Sequence, residues 1–242
     1  FVGVSDCLEI LYKDESKVFV PIEHMNLISK YFGPVDRDID SLNSKKWQKR
    51  KDKALKQTFD TAAELLEVQA KRYSSNGYSF DLYENDYLNF IKKFPYEETY
   101  DQKRTIDEVL QDMHSSRPMD RLICGEVGFG KTEVAMRAAF ISALNSKQTC
   151  ILVPTTLLTS QHLDSFEQRF KDTGINIASL SRNITSKEKD KLVQSLASGE
   201  IDIVIGTHAL IQGNIRFKDL GLLIIDEEHR FGVRQKEVIK NL

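Results

Sequence analysis

Gly125-Glu126-Val127-Gly128-Phe129-Gly130-Lys131-Thr132 stands between the apolar run Leu122-Ile123-Cys124 and a helix-forming run from Glu133 to Ala143. Glycine, four residues, then Gly-Lys-Thr is the pattern of a phosphate-binding loop, and strand–loop–helix is the setting it requires. The glycines let successive backbone N–H groups turn toward phosphate oxygens, and the following helix aims its positive end at the same place. In such a loop Lys131 reaches the β- and γ-phosphates and the Thr132 hydroxyl ligates Mg²⁺. Gly125, Glu126, Val127, Gly128, Phe129, Gly130, Lys131 and Thr132 are thus the candidate triphosphate cradle.

Downstream and just upstream of the loop the chain alternates. Helical runs at 101–113, 131–144, 156–171 and 185–198 are interleaved with apolar β-like runs at 121–124, 149–153, 177–180, 202–205 and 222–225. Continuously apolar strands alternating with helices predict an α/β fold with a parallel sheet covered on both faces. Ligands of such sheets bind outside the carboxyl ends of the strands. One of those ends is Leu222-Leu223-Ile224-Ile225-Asp226-Glu227-Glu228-His229. There Asp226 can hold Mg²⁺ through its water shell, and Glu227 can polarise a water in line with the γ-phosphate. Lys131, Asp226 and Glu227 are the candidate catalytic residues, with Thr132 and Asp226 the candidate metal ligands.

The N-terminal part has another texture. Cys7 to Tyr12 and Lys17 to Ile22 flank the polar turn Lys13-Asp14-Glu15-Ser16, which predicts a hairpin in a small β-rich unit. Phe32-Gly33-Pro34 closes that unit and 35–44 is a polar connector. Ser44 is placed to cap a long helix from Lys45 to about Tyr73, with Trp47, Leu55, Phe59, Ala62, Leu66 and Tyr73 at helical spacing. Asn76-Gly77 ends it, and a shorter helix, about Leu82 to Lys93, precedes Phe94-Pro95. The expected divisions are 1–44, a β module; 45–93, connector helices; and 94–242, the loop-bearing lobe. Lys45, Lys46, Lys49, Arg50, Lys51, Lys53 and Lys56 make a basic run that reads either as a solvated helix face or as proximity to DNA or an acidic partner surface.

Bulk properties exclude more than they assign. A net charge of −2 over 242 residues argues neither for nor against nucleic acid. Three scattered cysteines suit a reducing cytosol better than a disulfide framework, and no Cys/His cluster has metal-ligand spacing. No apolar run approaches the ~20 residues of a membrane span, and no signal-peptide order opens the chain. The chain starts at Phe1 rather than Met and stops on what reads as helix, so a longer parent protein is expected.

Three segments together resemble a known family. Met119 to Phe140 matches motif I, Asp226-Glu227-Glu228-His229-Arg230-Phe231-Gly232-Val233 matches motif II, and Phe94-Pro95-Tyr96-Glu97-Glu98-Thr99-Tyr100-Asp101-Gln102 matches the adenine-recognition segment of superfamily 2 helicases and translocases. Within them the chain resembles the bacterial transcription-repair coupling factors, the Mfd family, along essentially its whole length and most strongly from residue 94. It departs at His229, where Gln is usual, and at Tyr100, where Pro is frequent; neither position holds phosphate or magnesium.

The resemblance implies a RecA-like P-loop lobe, preceded by a Tudor-like β domain and a connector helix. It implies ATP and Mg²⁺ as cofactors. Gln102 then pairs with the adenine N6 amine and N7 through its donor and acceptor, while Phe94 packs either on the base or in the core. Val153 to His162, Leu180-Ser181-Arg182 and Gly206 to Leu210 resemble motifs Ia, Ib and Ic. They make Thr155, Thr156, Gln161, His162, Ser181, Arg182, Thr207 and His208 candidate contacts to DNA phosphates; Thr156 and Thr207 read equally well as helix caps.

The implied partners are double-stranded DNA through the lobe, the RNA polymerase β subunit through an open strand edge within residues 1–44, and excision-repair proteins through parts of the parent outside this chain. The implied activity is ATP-driven translocation on DNA that displaces stalled polymerase, in the bacterial cytoplasm. Arginines from a second lobe complete the site in this family, so weak turnover is expected of these residues alone. The alternatives are a RecG-like replication-fork helicase and a non-hydrolysing DNA- or protein-docking module.

Overall fold

A computed structural model describes residues 6–13, 15–30, 45–181, 185–211 and 215–227. Arg182, His229 and the rest of motif II after Glu227, the 35–44 connector and the Ser44 cap lie outside the described residues. The backbone divides into two compact units, Phe1–Lys71 and Arg72–Leu242.

In the first unit, β1 (Cys7–Leu11) and β2 (Lys17–Pro21) pair antiparallel with Glu9 opposite Phe19. The turn is closed by Tyr12 N–H donating to the Ser16 carbonyl at 2.9 Å, and Glu15 sits at φ 59°. A 3-10 turn spans Ile22–Leu27. Helix α1 (Lys45–Ser74) runs 30 residues. No proline or glycine interrupts it, which is why the periodic pattern located both its ends. Leu55, Phe59 and Leu66, spaced to share one helical face, are exposed.

The second unit is built on a four-stranded sheet in the order β4-β5-β3-β6, parallel throughout. Its strands are β3 (Gln148–Leu152), β4 (Ile177–Leu180), β5 (Ile203–Gly206) and β6 (Leu220–Ile225). The helices are α2 (Glu84–Lys92), α3 (Tyr100–His114), α4 (Lys131–Leu144), α5 (Thr156–Arg169) and α6 (Ser186–Ser198). Alternate strand residues go to opposite faces. Ile151, Ile203, Ile205 and Leu222 join Phe90, Ile106, Phe140 and Phe166 in one core, while Cys150, Leu152, Val204 and Leu180 join Leu196 and Leu210 in the other. Both faces being buried, the strands read as unbroken apolar runs.

Phe90 stacks on Phe140 at 4.1 Å, and Phe166 on Phe170 at 5.5 Å. Buried Gln148 uses its full hydrogen-bonding capacity. It accepts from Lys218 and Asp219 N–H and donates to the Leu196 and Ile201 carbonyls, joining β3 to the segments leading into β5 and β6. Burial pushes the Cys150 thiol up to about 12.

One expected strand is missing. Residues 121–124 have no regular secondary structure and join no ladder. Leu122 is exposed and Ile123 only half-buried against the core. The Arg121 guanidinium donates to Asp112 and Glu108 of α3 at 2.6 Å each, fastening the start of the segment to the helix.

Candidate functional site

The glycine loop leads directly into α4. Gly128 and Gly130 lie at φ +87° and +76°, left-handed backbone that side chains rarely adopt. Gly130 is the residue before α4, and a Cβ there would stand 2.5 Å from the Gln102 side-chain nitrogen. Lys131 opens the helix, and its ammonium donates to the carbonyl of Gly125 and, at 3.3 Å, to that of Glu126. Val127 and Phe129 are exposed at the loop tip, and Thr132 is half-buried in the first helical turn.

Gln102 meets this loop from α3. Its Nε2 donates to the Phe129 carbonyl at 2.8 Å and its Oε1 accepts from Thr99 N–H at 2.9 Å, while Thr99 Oγ1 accepts from Gln102 N–H. Thr99 and Gln102 are thus a capping box. Among the described residues these bonds use one amide hydrogen and one carbonyl lone pair of Gln102. Phe94 is half-buried, edge-on to Tyr96 at 5.6 Å, with the guanidiniums of Arg137 and Arg169 at 5.7 and 5.8 Å from its ring centre.

Asp226 follows β6, its N–H bonded to the Leu152 carbonyl at 2.8 Å. His162 Nε2 lies 3.0 Å from Asp226 Oδ2. That hydrogen bond comes first among the influences holding the Asp226 carboxyl below its usual range, with Lys131 adding attraction. An ionised carboxylate only accepts, so His162 Nε2 carries the hydrogen. The depressed value means that Asp226 is charged at neutral pH; the stability it contributes is lost only as pH falls through that lowered value. Glu227 adopts φ +55°, uncommon outside glycine.

The residues fit a nucleotide-borne magnesium ion. Asp226 is charged, Thr132 stands in the first turn after the loop, and no cage of three or more His, Cys, Asp or Glu is gathered among the described residues. Mg²⁺ characteristically takes one or two carboxylates plus substrate phosphates rather than an all-protein cage. His162→Ala is expected to raise the Mg²⁺ concentration needed for half-maximal nucleotide binding by roughly tenfold, because a partner that orients a ligating carboxylate is worth that much. A Mg²⁺ titration of fluorescent-nucleotide binding measures it; an unchanged midpoint makes the contact incidental.

The remaining candidates lie along the carboxyl ends of β3, β4 and β5. Thr155 caps α5 by accepting from Leu158 N–H at 3.2 Å, Thr156 is half-buried beside it, and Gln161 is exposed one turn on. His162, expected with them, turns inward to Asp226 instead. Ser181 and His208 are half-buried after β4 and β5. Thr207 is 4% exposed and its hydroxyl has no hydrogen-bond partner among the described residues, so it presents nothing to the surface and caps no helix through its side chain.

Sequence reasoning passed over four charged residues. Arg137 bridges Glu133 and Glu98, and Arg169 bridges Glu133 and the Phe90 carbonyl. Glu133–Arg137 is an i,i+4 pair and Thr99-x-x-Gln102 a capping-box spelling, so both were available as signals; nothing local announces Arg169.

Comparison with known proteins follows the same outline. The sequence model of the DEAD/DEAH box helicase family matches residues 99–242. The transcription-repair-coupling factor of Haemophilus influenzae is 49% identical over 98% of this chain and 21% of its own length. That of Escherichia coli is 47% identical over 96% and 20%. The chain therefore spans about a fifth of the length of these two relatives. Among solved structures, RecG bound to a three-way DNA junction superposes with a TM-score of 0.64 at 41% identity, over 69% of this chain and 23% of that one.

Proposed function

We propose, because the chain belongs to the DEAD/DEAH box helicase family, that residues 94–242 form an ATP-binding motor lobe and that the N-terminal β module, within residues 1–44, engages RNA polymerase. The observation that carries the nucleotide reading is the convergence of Gln102 and Lys131 on the glycine loop, with Asp226 within electrostatic reach of Lys131.

In this reading the loop N–H groups and Lys131 bind the β- and γ-phosphates, Gln102 reads the adenine edge, and Glu227 holds the attacking water in line. Thr132 and Asp226 would hold Mg²⁺, which when bound would supply neutralisation of the phosphate charge. Thr155, Thr156, Gln161, Ser181, Arg182 and His208 contact DNA phosphates without reading sequence, as a motor that steps along any duplex needs. The parent protein uses this lobe to move on double-stranded DNA, displace stalled polymerase and bring in excision-repair proteins.

A RecG-like fork helicase is the competing assignment, favoured by the structural likeness. The relatives named transcription-repair-coupling factors match 98% of the chain, however, and that match takes in the hairpin and α1, whereas the RecG likeness covers 69%.

The hairpin supplies a test. Each of its strands has one strand partner among the described residues, and a strand edge without a partner strand can take an added one. Phe19 is 60% exposed on the hairpin. The immobilised 242-residue chain is expected to retain the RNA polymerase β subunit from purified polymerase, and Phe19→Asp to lower that retention about tenfold or more, the range of an interface anchor. Failure of the unaltered chain to retain polymerase defeats the coupling-factor assignment and leaves the fork helicase. Isothermal titration with ATP and Mg²⁺ tests the nucleotide site separately.

A further inference from the structure

We infer that Glu98 and Arg137 are positioning residues for base recognition, locking the adenine-reading segment onto the helix that carries the phosphate loop. The inference rests on the ATP-site reading above and goes beyond it.

Arg137 is 3% exposed. Its Nε donates to Glu133 Oε1 at 2.9 Å and its Nη2 to Glu98 Oε1 at 2.6 Å. Glu133, 7% exposed, also takes two bonds from Arg169, at 2.9 and 3.1 Å. Arg169 in turn lies over the Phe90 ring at 3.9 Å and donates to the Phe90 carbonyl. Two guanidinium charges are set against two carboxylates, and the balance closes only when Glu98 is counted. Buried charge without a counter-charge is costly, so the cluster holds Glu98 in place.

Glu98 lies on the adenine-reading segment. The next residue, Thr99, caps α3, and through its capping box it sets the Gln102 side chain. On the other side of the cluster, Glu133 belongs to the first turn of α4, which starts at Lys131. The same two guanidiniums lie 5.7 and 5.8 Å from the centre of the Phe94 ring. The base-reading amide and the phosphate-holding ammonium are therefore referred to one rigid helix, and the cluster fixes the spacing between them. Stability alone does not explain this arrangement, since buried ion clusters are often no more stable than apolar packing of the same volume.

The consequence is a split between the two halves of the ligand. Loosening the 94–102 segment should weaken the grip on adenine and spare the grip on phosphate. Glu98 is half-buried, so Glu98→Gln removes its charge while leaving the Arg137–Glu133 pair intact.

The experiment is equilibrium binding of ATP, GTP and inorganic tripolyphosphate, each with Mg²⁺, to the unaltered 242-residue chain and to Glu98→Gln. The expected result is a preference for ATP over GTP in the unaltered chain. In the variant, ATP affinity falls about tenfold, tripolyphosphate affinity stays within about twofold, and the ATP-to-GTP ratio shrinks. Unchanged ATP affinity overturns the inference. An equal loss for ATP and tripolyphosphate also overturns it, because that marks a merely structural role. An unaltered chain that binds tripolyphosphate as well as ATP, or GTP as well as ATP, sinks the adenine reading itself. The Arg137→Lys variant guards against misfolding of the first: a single ammonium cannot bridge both carboxylates in fork geometry, so the same split is expected.

Discussion

Lys131→Ala is expected to lower the affinity of this chain for ATP by about a hundredfold, the worth of a charge-assisted hydrogen bond of ~3 kcal/mol. Between Gly125 and Thr132 the charged side chains are Glu126 and Lys131, so removal of Lys131 leaves the cradle with backbone dipoles and one negative charge. In the fold, the ammonium satisfies itself on the carbonyls of Gly125 and Glu126, where incoming phosphate oxygens can replace them. Lys131 is half-buried at a helix start and takes no part in the core, so the melting temperature should hardly move. Competition against a fluorescent nucleotide, with a thermal melt beside it, separates the two. An affinity within about threefold of the unaltered chain would mean that phosphate is held elsewhere.

Glu133→Ala should act in the opposite way, on stability first. It removes a buried carboxylate that neutralises both Arg137, 3% exposed, and Arg169, whose side chain is 9% exposed. Glu98 can still serve Arg137, but Arg169 then keeps no carboxylate among the described residues, only the Phe90 carbonyl and the Phe90 and Phe94 rings. Breaking a buried ion pair from one side costs about 3–5 kcal/mol. For a unit of this size that is a fall in melting temperature on the order of 10 °C. Urea unfolding followed by circular dichroism measures it. A loss below about 1 kcal/mol would show that water reaches the arginines and that the cluster is not dry.

The lobe was legible wherever one local pattern decided the outcome. The unbroken apolar runs that became β3 to β6 signal burial on both faces, and the helical spacing from Lys45 onward located α1. The run 121–124 joins no strand, and the contacts that fasten its start, from Arg121 to Glu108 and Asp112, reach an earlier helix that no window around the run includes. The site divided along the same line. Gly130, Lys131 and Thr132 belong to one loop and were readable together. That His162 reaches Asp226, or Arg169 reaches Glu133, follows from the order of strands in the sheet, and the sequence carries that order only implicitly. Gln102 lay between these cases. Its capping role was spelled locally by Thr99, while its contact with Phe129 was not.

Cys150 gives the sheet a clock. Burial in β3 pushes its thiol up to about 12, and alkylating reagents attack only the ionised form. Cys7 and Cys124 are exposed and will be consumed first. The slow remaining reaction therefore counts the moments when the sheet parts around its central strand. The spontaneous opening of the lobe can be timed without introducing a foreign probe into it.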